Sequence, residues 1–495
     1  MSREPDAITA QRRQLGAALA TFRKAAEQSQ AQLGTHTRYD RTSINKIEHG
    51  QQLPDRPFWQ AADTLFHADG ALLKRYDELV ASKREHAQRQ RQASRAHHQA
   101  DAARLRGEQA VTSAPVHSDP ANEPTDDPER DAVLCAPWSH RGTVEASVAL
   151  RGGGNPVRRR GFVFLGGAAL TAPAHQWLVH EPGPLVSGLS GRRVSARLTD
   201  RLTAMVSELR KMDDVAGGGS VLTLAAQEFE WVAELLDRAL YDERTGRTLH
   251  VALAELGQLC GWAAYDAGHH ALAQRYYIAA LRATHSAEDR PLGAHVLSFM
   301  AEQAARQGQP AEAVTLIQTA LAGTRGRQTP SLLAQLYTGQ AYAFATLGDA
   351  SGCTAALSQA RTQIERLTPA AEPSWLYWVN PANMTSDVGN ALRQLGHAEQ
   401  AAVVLENGIA MFDDSLPRGQ AGYLTALADV LARPGKQRDL DAAADRGMEA
   451  IQLVENLDST RVAGLIRNLS HQLTPHAKVP AVGDFVERAR VFLAA

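Results

Sequence analysis

Five stretches from the second half of the chain align on a glycine: AGHHALAQRYYIAAL (267–281), RQGQPAEAVTLIQTAL (306–321), TLGDASGCTAALSQA (346–360), QLGHAEQAAVVLENGIA (394–410) and RPGKQRDLDAAADRG (433–447). Gly268, Gly308, Gly348, Gly396 and Gly435 each stand between two helical patterns, spaced by 40, 40, 48 and 39 residues. Seven positions before each glycine is a small residue: Gly261, Ala301, Ala341, Gly389 or Ala428. Five after it stands Ala273, Ala313, Cys353 or Ala401, with Leu440 the exception. Nine after it stands Tyr277, Ile317, Leu357, Leu405 or Ala444; twelve after it, Ala280, Ala320, Ala360, Gly408 or Gly447. This pattern predicts stacked helix pairs. A small residue on the first helix lets the second approach, a bulky one fills the gap, and the second small residue admits the next pair.

That grammar of small residue, glycine, alanine, bulky residue and alanine resembles the tetratricopeptide repeat, although these repeats run about 40 residues rather than about 34. The resemblance covers roughly 245–450, with helices at about 195–243 and 455–493 expected to cap the stack. Stacked pairs curve and leave the first helix of each on the concave side. Residues six before each glycine then face a groove: Trp262, Glu302, Tyr342, Asn390 and Asp429. Gln258, Tyr265, Asn383 and Arg393 join them, with His295, Ser298, Arg306 and Thr338 nearby. Asn and Arg can hold a peptide backbone by hydrogen bonds. The groove is therefore expected to take a peptide, small molecule or protein partner. The aromatic run Trp375-Leu376-Tyr377-Trp378 reads as core packing more than as a ligand cage.

Upstream of the repeats the composition changes in steps. Residues 161–194 hold a short apolar segment, expected to form a short helix packed on the repeat domain. Residues 111–160 carry six prolines, an acidic cluster and Gly152-Gly153-Gly154, the composition of a flexible linker. Residues 81–110 are almost wholly polar with good helix formers, a solvated arm. The expected division is 1–80, a helical domain; 81–160, arm and linker; 161–194; and 195–495, the repeat domain.

The first 80 residues read as five helices. Leu15, Leu19 and Phe22 mark the inner face of the first. Ser29 caps a short second helix, SQAQLGTHT, and a bend follows at Thr37-Arg38-Tyr39. Asp40 caps a third, RTSINKIEH, closed by Gly50; Tyr39 and Ile44 have the spacing of a hydrophobic staple. With Ile44 and Ile47 turned inward, Arg41, Thr42, Asn45, Lys46 and His49 share the outward face. Two short helices joined by a tight turn form a helix-turn-helix, whose second helix fits the major groove. There Arg can pair with guanine and Asn with adenine. Ser29 and Gln30, at the start of the preceding helix, suit a phosphate, because free N–H groups and the positive dipole end lie there.

The string SQAQL…RTSINKIEHGQQLPDRPFWQAADTL resembles the XRE-type (Cro/C1-like phage repressor) helix-turn-helix family over about residues 11–80. Its marks are the Ser-Gln opening, the Ile-Glu-x-Gly ending and the following Leu-Pro-Asp. The resemblance implies that Gln30, Arg41, Thr42, Asn45 and Lys46 face DNA. It departs where Arg38 replaces the family's turn glycine, Thr37 its leucine, and Asp40 its Ser or Thr cap. Such a domain followed by tetratricopeptide repeats is similar to large actinobacterial regulators, which also carry an internal stretch like RRRGFVFLGGAAL, and the high Ala, Arg and Gly content suits that source.

The 495 residues are 44% hydrophobic and 21% charged, ample for packed cores. Net charge is −2, unevenly spread: residues 1–110 carry 18 Lys and Arg against 13 Asp and Glu, leaving 34 against 41 in the remainder. A basic first unit suits an anionic partner such as double-stranded DNA. Three distant cysteines, Cys135, Cys260 and Cys353, argue against a disulfide framework or structural zinc and fit a cytoplasmic setting. No apolar segment is long enough to span a membrane. The internal Arg158-Arg159-Arg160 resembles an export motif in the wrong place. P-loop, GxSxG and HExxH patterns are missing, and adjacent His97-His98 and His269-His270 point about 100° apart on a helix, so no metal, cofactor or catalytic role is expected. The expectation is an all-α transcription regulator that binds an operator, senses a partner in its repeats and forms a homodimer. The alternative is a repeat scaffold that sequesters a partner without reading DNA. Salt-dependent DNA binding with sequence preference separates the two.

Overall fold

The computed structural model describes residues 6–26, 28–37, 39–54, 56–66, 68, 70–79, 131–150, 162–182, 193–367, 372–413 and 416–494. The chain divides into two compact units, Met1–Ala121 and Asn122–Ala495. The described residues are all-α, with one isolated backbone bridge, Arg193 to Leu240. The polar arm expected at 81–110, the Pro-rich stretch 111–130, residues 151–161 and Arg38 lie outside the described residues.

The first unit contains α1 (Asp6–Ala25), α2 (Gln30–Thr37), α3 (Arg41–Glu48), α4 (Arg56–Leu65) and α5 (71–79). Leu15, Leu19, Leu33, Ile44, Ile47, Trp59 and Leu72 are almost fully buried in one core. Tyr39 joins that core edge-on to Phe58, 5.1 Å between centroids. A Cβ on Gly16 would stand 2.3 Å from the carbonyl oxygen of Ile47, so only glycine lets α1 and α3 meet backbone to backbone. Buried Asp63 on α4 caps α5, accepting from the N–H groups of Gly70 at 2.7 Å and Leu72 at 2.8 Å.

The second unit opens with α6 (Ala132–Cys135), α7 (His140–Val148) and α8 (Ala168–Val179), then α9 (Ala196–Ala216) and α10 (Gly218–Arg238). Five antiparallel pairs follow: α11 (Glu243–Asp266) with α12 (His270–Ser286), α13 (Arg290–Arg306) with α14 (Pro310–Gly323), α15 (Pro330–Leu347) with α16 (Ala350–Ile364), α17 (Pro381–Leu395) with α18 (Ala398–Ile409), and α19 (Pro417–Ala432) with α20 (Leu440–Val454). α21 (Thr460–Leu473) and α22 (Pro480–Ala494) complete it.

The register read from the sequence acts within the two pairs that carry a glycine at −7. A Cβ on Gly261 would lie 2.4 Å from the Tyr277 ring, and one on Gly389 would lie 2.8 Å from Leu405. These are the −7 and +9 positions of their repeats. Contacts at the +12 position are of both kinds. Gly408 faces Ser386 of its own pair, and Ala280 faces Gly257 of its own pair. Gly447 admits a later helix, receiving Phe485 of α22. Gly268, Gly308, Gly348 and Gly396 close their helices with φ between 77° and 89°, whereas Gly435 lies beyond the end of α19 with φ 145°.

One expectation upstream needs correction. Residues 131–150 are helical and packed, not linker: Val133, Val144 and Leu150 are buried against the repeat core. Arg282 of α12 secures the segment by donating to the carbonyls of Val133 (3.0 Å), Pro137 (3.1 Å) and Leu134 (3.2 Å). Arg275 pairs with Asp131 at 2.7 Å. Within the apolar segment, 162–166 is non-helical and the helix begins only at Ala168. Both backbone groups of Leu165 are bonded by the Gln274 amide, at 2.7 and 3.0 Å. Trp177 of α8 fills the space left by Gly293 and Gly323.

The stack also closes on itself. Loop residue Asp458 receives the Gly219 N–H at 3.1 Å and donates its own N–H to Ala216 at 3.0 Å. α19 thereby meets α9, and α21 meets α11.

Candidate functional site

On the first unit, α3 presents Arg41, Thr42, Asn45, Lys46 and His49 as exposed residues, while Ile44, Ile47 and Glu48 are buried. The i, i+3, i+4 spacing of the buried three explains the split. Asp40 caps α3 by accepting from the Ser43 N–H at 2.9 Å and its hydroxyl at 2.7 Å. The Ser43 hydroxyl and backbone bonds hold the Asp40 carboxyl below its ordinary range. Ser29 forms a capping box on α2: its hydroxyl accepts from Gln32 N–H at 3.2 Å, and the Gln32 side chain accepts from Ser29 N–H at 2.8 Å.

A buried network, not visible in the sequence reading, sets the angle of α3. Arg23 on α1 pairs with Glu48 at 2.5 Å and donates to the Gln28 carbonyl at 2.7 Å. The Gln30 amide donates to Glu48 at 2.8 Å and to Asn45 at 3.4 Å. Gln30 is therefore half-buried and positions Asn45, as well as standing at the start of α2. Glu48, the one acidic residue of α3, is neutralised by Arg23, so its charge does not oppose a polyanion at the outer face. His49 turns back onto its helix, its Nδ1 2.8 Å from the Asn45 carbonyl. Its role there is to close α3.

On the second unit, the inner faces of α9, α11, α13, α15, α17, α19 and α21 surround a cavity of about 690 Å³. That volume falls in the range of small-ligand sites. Gln258, Trp262, Tyr265, Glu302, Tyr342, Asn383, Asn390, Arg393 and Asp429 all line it, as do His295 and Arg306. Ser298 and Thr338 do not: the Ser298 hydroxyl bonds the His295 carbonyl at 2.7 Å, and the Thr338 hydroxyl bonds Ala334 at 3.0 Å. Trp375, Tyr377 and Trp378 serve as wall as well as packing. Trp375 lies 4.6 Å from the His295 ring, and Phe299 lies 5.9 Å from Trp378 and 5.3 Å from Trp262. One side of the cavity is thus continuous aromatic surface.

The charged groups of the cavity pair among themselves. Arg418 of α19 binds both oxygens of Asp213 on α9 and reaches Asp266 on α11 at 3.3 Å. Arg461 of α21 binds Asp266 at 2.9 Å, and the two guanidiniums stack over the Trp262 ring at 5.3 and 5.2 Å. Burial alone would raise the Asp266 carboxyl, but Arg418, Arg461, Ser459 and the Gly218 N–H hold it below its ordinary range. This cluster bridges the two ends of the stack. Elsewhere Arg393 and Arg433 share Asp429 at 2.7 and 2.6 Å, Arg306 holds Glu302 at 3.1 Å, and Arg210 holds Glu255 at 2.9 Å. Burial pushes His295 down to about 3, so it is neutral. Two carboxyls are raised by burial, each bonded by a tyrosine hydroxyl at 2.7 Å: Asp214 by Tyr377, to about 6, and Asp387 by Tyr423, to about 7.

Among the described residues no cluster of His, Cys, Asp and Glu could hold a metal ion, and no helix is long and apolar enough to cross a membrane. No curated protein matches the chain. Residues 14–75 match a family model described as a helix-turn-helix domain, so the first unit carries the kind of domain with which regulators bind DNA.

Proposed function

We propose that the protein is a cytoplasmic transcription regulator of XRE type whose tetratricopeptide-like stack senses a ligand. The observation that carries the reading is α3 itself. Its core residues are buried, its outer face exposes Arg41, Thr42, Asn45 and Lys46, and the Arg23–Glu48–Gln30 network fixes its setting. Arg41 and Asn45 would read base edges, Lys46 would neutralise phosphate, and the α2 N-terminus at Ser29 would hold the backbone. The protein acts as a homodimer on half-sites about one helical turn apart. Ligand in the cavity shifts the population between curvatures of the stack and so changes half-site spacing in the dimer. No bond-making chemistry is needed, and the protein is not an enzyme in this reading.

The test is binding of the full-length protein to DNA duplexes as a function of salt. Affinity that falls steeply with salt and differs between sequences supports the reading. Weak, sequence-blind association instead favours a scaffold that sequesters a partner.

A further inference from the structure

Among the described residues, one carboxyl group of the cavity has no cation paired with it. Asp387 lies on α17 and lines the space. Its Oδ1 accepts the Tyr423 hydroxyl at 2.7 Å. Among the described residues it has no ion-pair partner, and its Oδ2 takes no hydrogen bond. The nearest cation, Arg306, is spent on Glu302 at 3.1 Å and lies over the Tyr342 ring at 5.0 Å. Every guanidinium lining the cavity is matched by a carboxylate, so an anionic ligand would have to displace one. Buried charges are ordinarily paired. Aromatic faces also favour a desolvated cation.

Resting on the sensing role proposed above, we propose that the cavity binds an organic cation: a flat aromatic molecule carrying a protonated amine, its rings against the Phe299–Trp378 wall and its N–H directed at Asp387 Oδ2. Gln258 supports such a ligand. It is 6% exposed, makes no hydrogen bond among the described residues and lines the same space. A free buried amide offers both a donor and an acceptor to ring substituents.

The experiment is calorimetric titration of the full-length protein, without DNA, with three probes that share the flat acridine skeleton. Proflavine is a cation, acridone is uncharged and acridine carboxylate is an anion. The expected order is proflavine, acridone, acridine carboxylate, with the cation favoured over acridone by about tenfold or more, which is about 1.4 kcal/mol. Asp387→Asn keeps the Tyr423 hydrogen bond and should erase that preference. Equal or reversed affinities in the wild-type protein, no saturable binding of proflavine, or an intact preference in Asp387→Asn overturns the proposal. Because no DNA is present, failure here leaves the DNA-reading surface standing. A protein that binds proflavine but shows no sequence preference on DNA defeats the functional reading alone.

Discussion

The two units use arginine in opposite ways. On the first, Arg41 and Lys46 stand exposed on α3, while the guanidinium of Arg23 is spent inside on Glu48. In the second, Arg210, Arg306, Arg393, Arg418 and Arg461 turn inward, and each meets a carboxylate. A polyanion is attracted by cations left free at the surface. Guanidiniums buried along a cavity cannot be left free, because a buried unpaired charge costs several kcal/mol. Function on the first unit is therefore written in exposed charge. On the second, the proposed ligand would be recognised by what the internal pairing omits.

The sharpest way to break this contrast is Arg41→Ala with Asn45→Ala. Each side chain is expected to supply about 1–3 kcal/mol of base discrimination, so the pair should abolish operator preference. Circular dichroism and the melting profile should be unchanged, because both side chains are exposed. Next in size is Arg418→Leu, which leaves Asp213 and Asp266 buried without this counter-ion. A loss of about 3–5 kcal/mol from the second unit is expected. Denaturant melts followed separately for each unit should show the first unit unmoved.

Gly261→Val tests the packing that holds the cavity walls. It drives a Cβ and two methyl groups into the Tyr277 ring, and overpacking of this kind costs about 1–3 kcal/mol. Asp387→Asn works in the other direction. Burial raises Asp387 to about 7, with Glu302 and Arg306 of α13 and Tyr423 of α19 around it. A carboxyl whose folded pKa is raised contributes stability at low pH that is lost as pH rises through the folded value. That loss begins at the ordinary carboxyl value of 3.8 and is complete above about 7, so the amide should stabilise the second unit by at least about 1 kcal/mol at about pH 8, by less at about pH 5, and change little at about pH 3. Lys46→Ala is the smallest effect. It should weaken binding uniformly across sequences and lower the salt slope by about one.

What could be read from the sequence was local. The Gly261–Tyr277 and Gly389–Leu405 contacts lie at fixed offsets within one helix pair, and periodicity alone turned Trp262, Glu302, Tyr342, Asn390 and Asp429 to one side. The outward face of α3 followed from Ile44 and Ile47 in the same way. What escaped depends on distant partners. Arg418 and Asp213 are 205 residues apart, and no period in the chain announces that α19 closes onto α9. Residues 131–150 resembled linker because they adjoin the proline- and acid-rich stretch 111–130, whereas Arg275 and Arg282, which pin them, come more than 140 positions later. Glu48 sits on the same inner stripe as Ile44, yet its partner Arg23 is on another helix.

The most direct measurement is selection of bound duplexes from a randomised DNA library by the full-length protein, run beside Arg41→Ala/Asn45→Ala. A recurrent motif in two half-sites about one turn apart, absent from the double variant, is the expected outcome. No enriched motif, or the same motif with both proteins, contradicts the claim that α3 reads DNA.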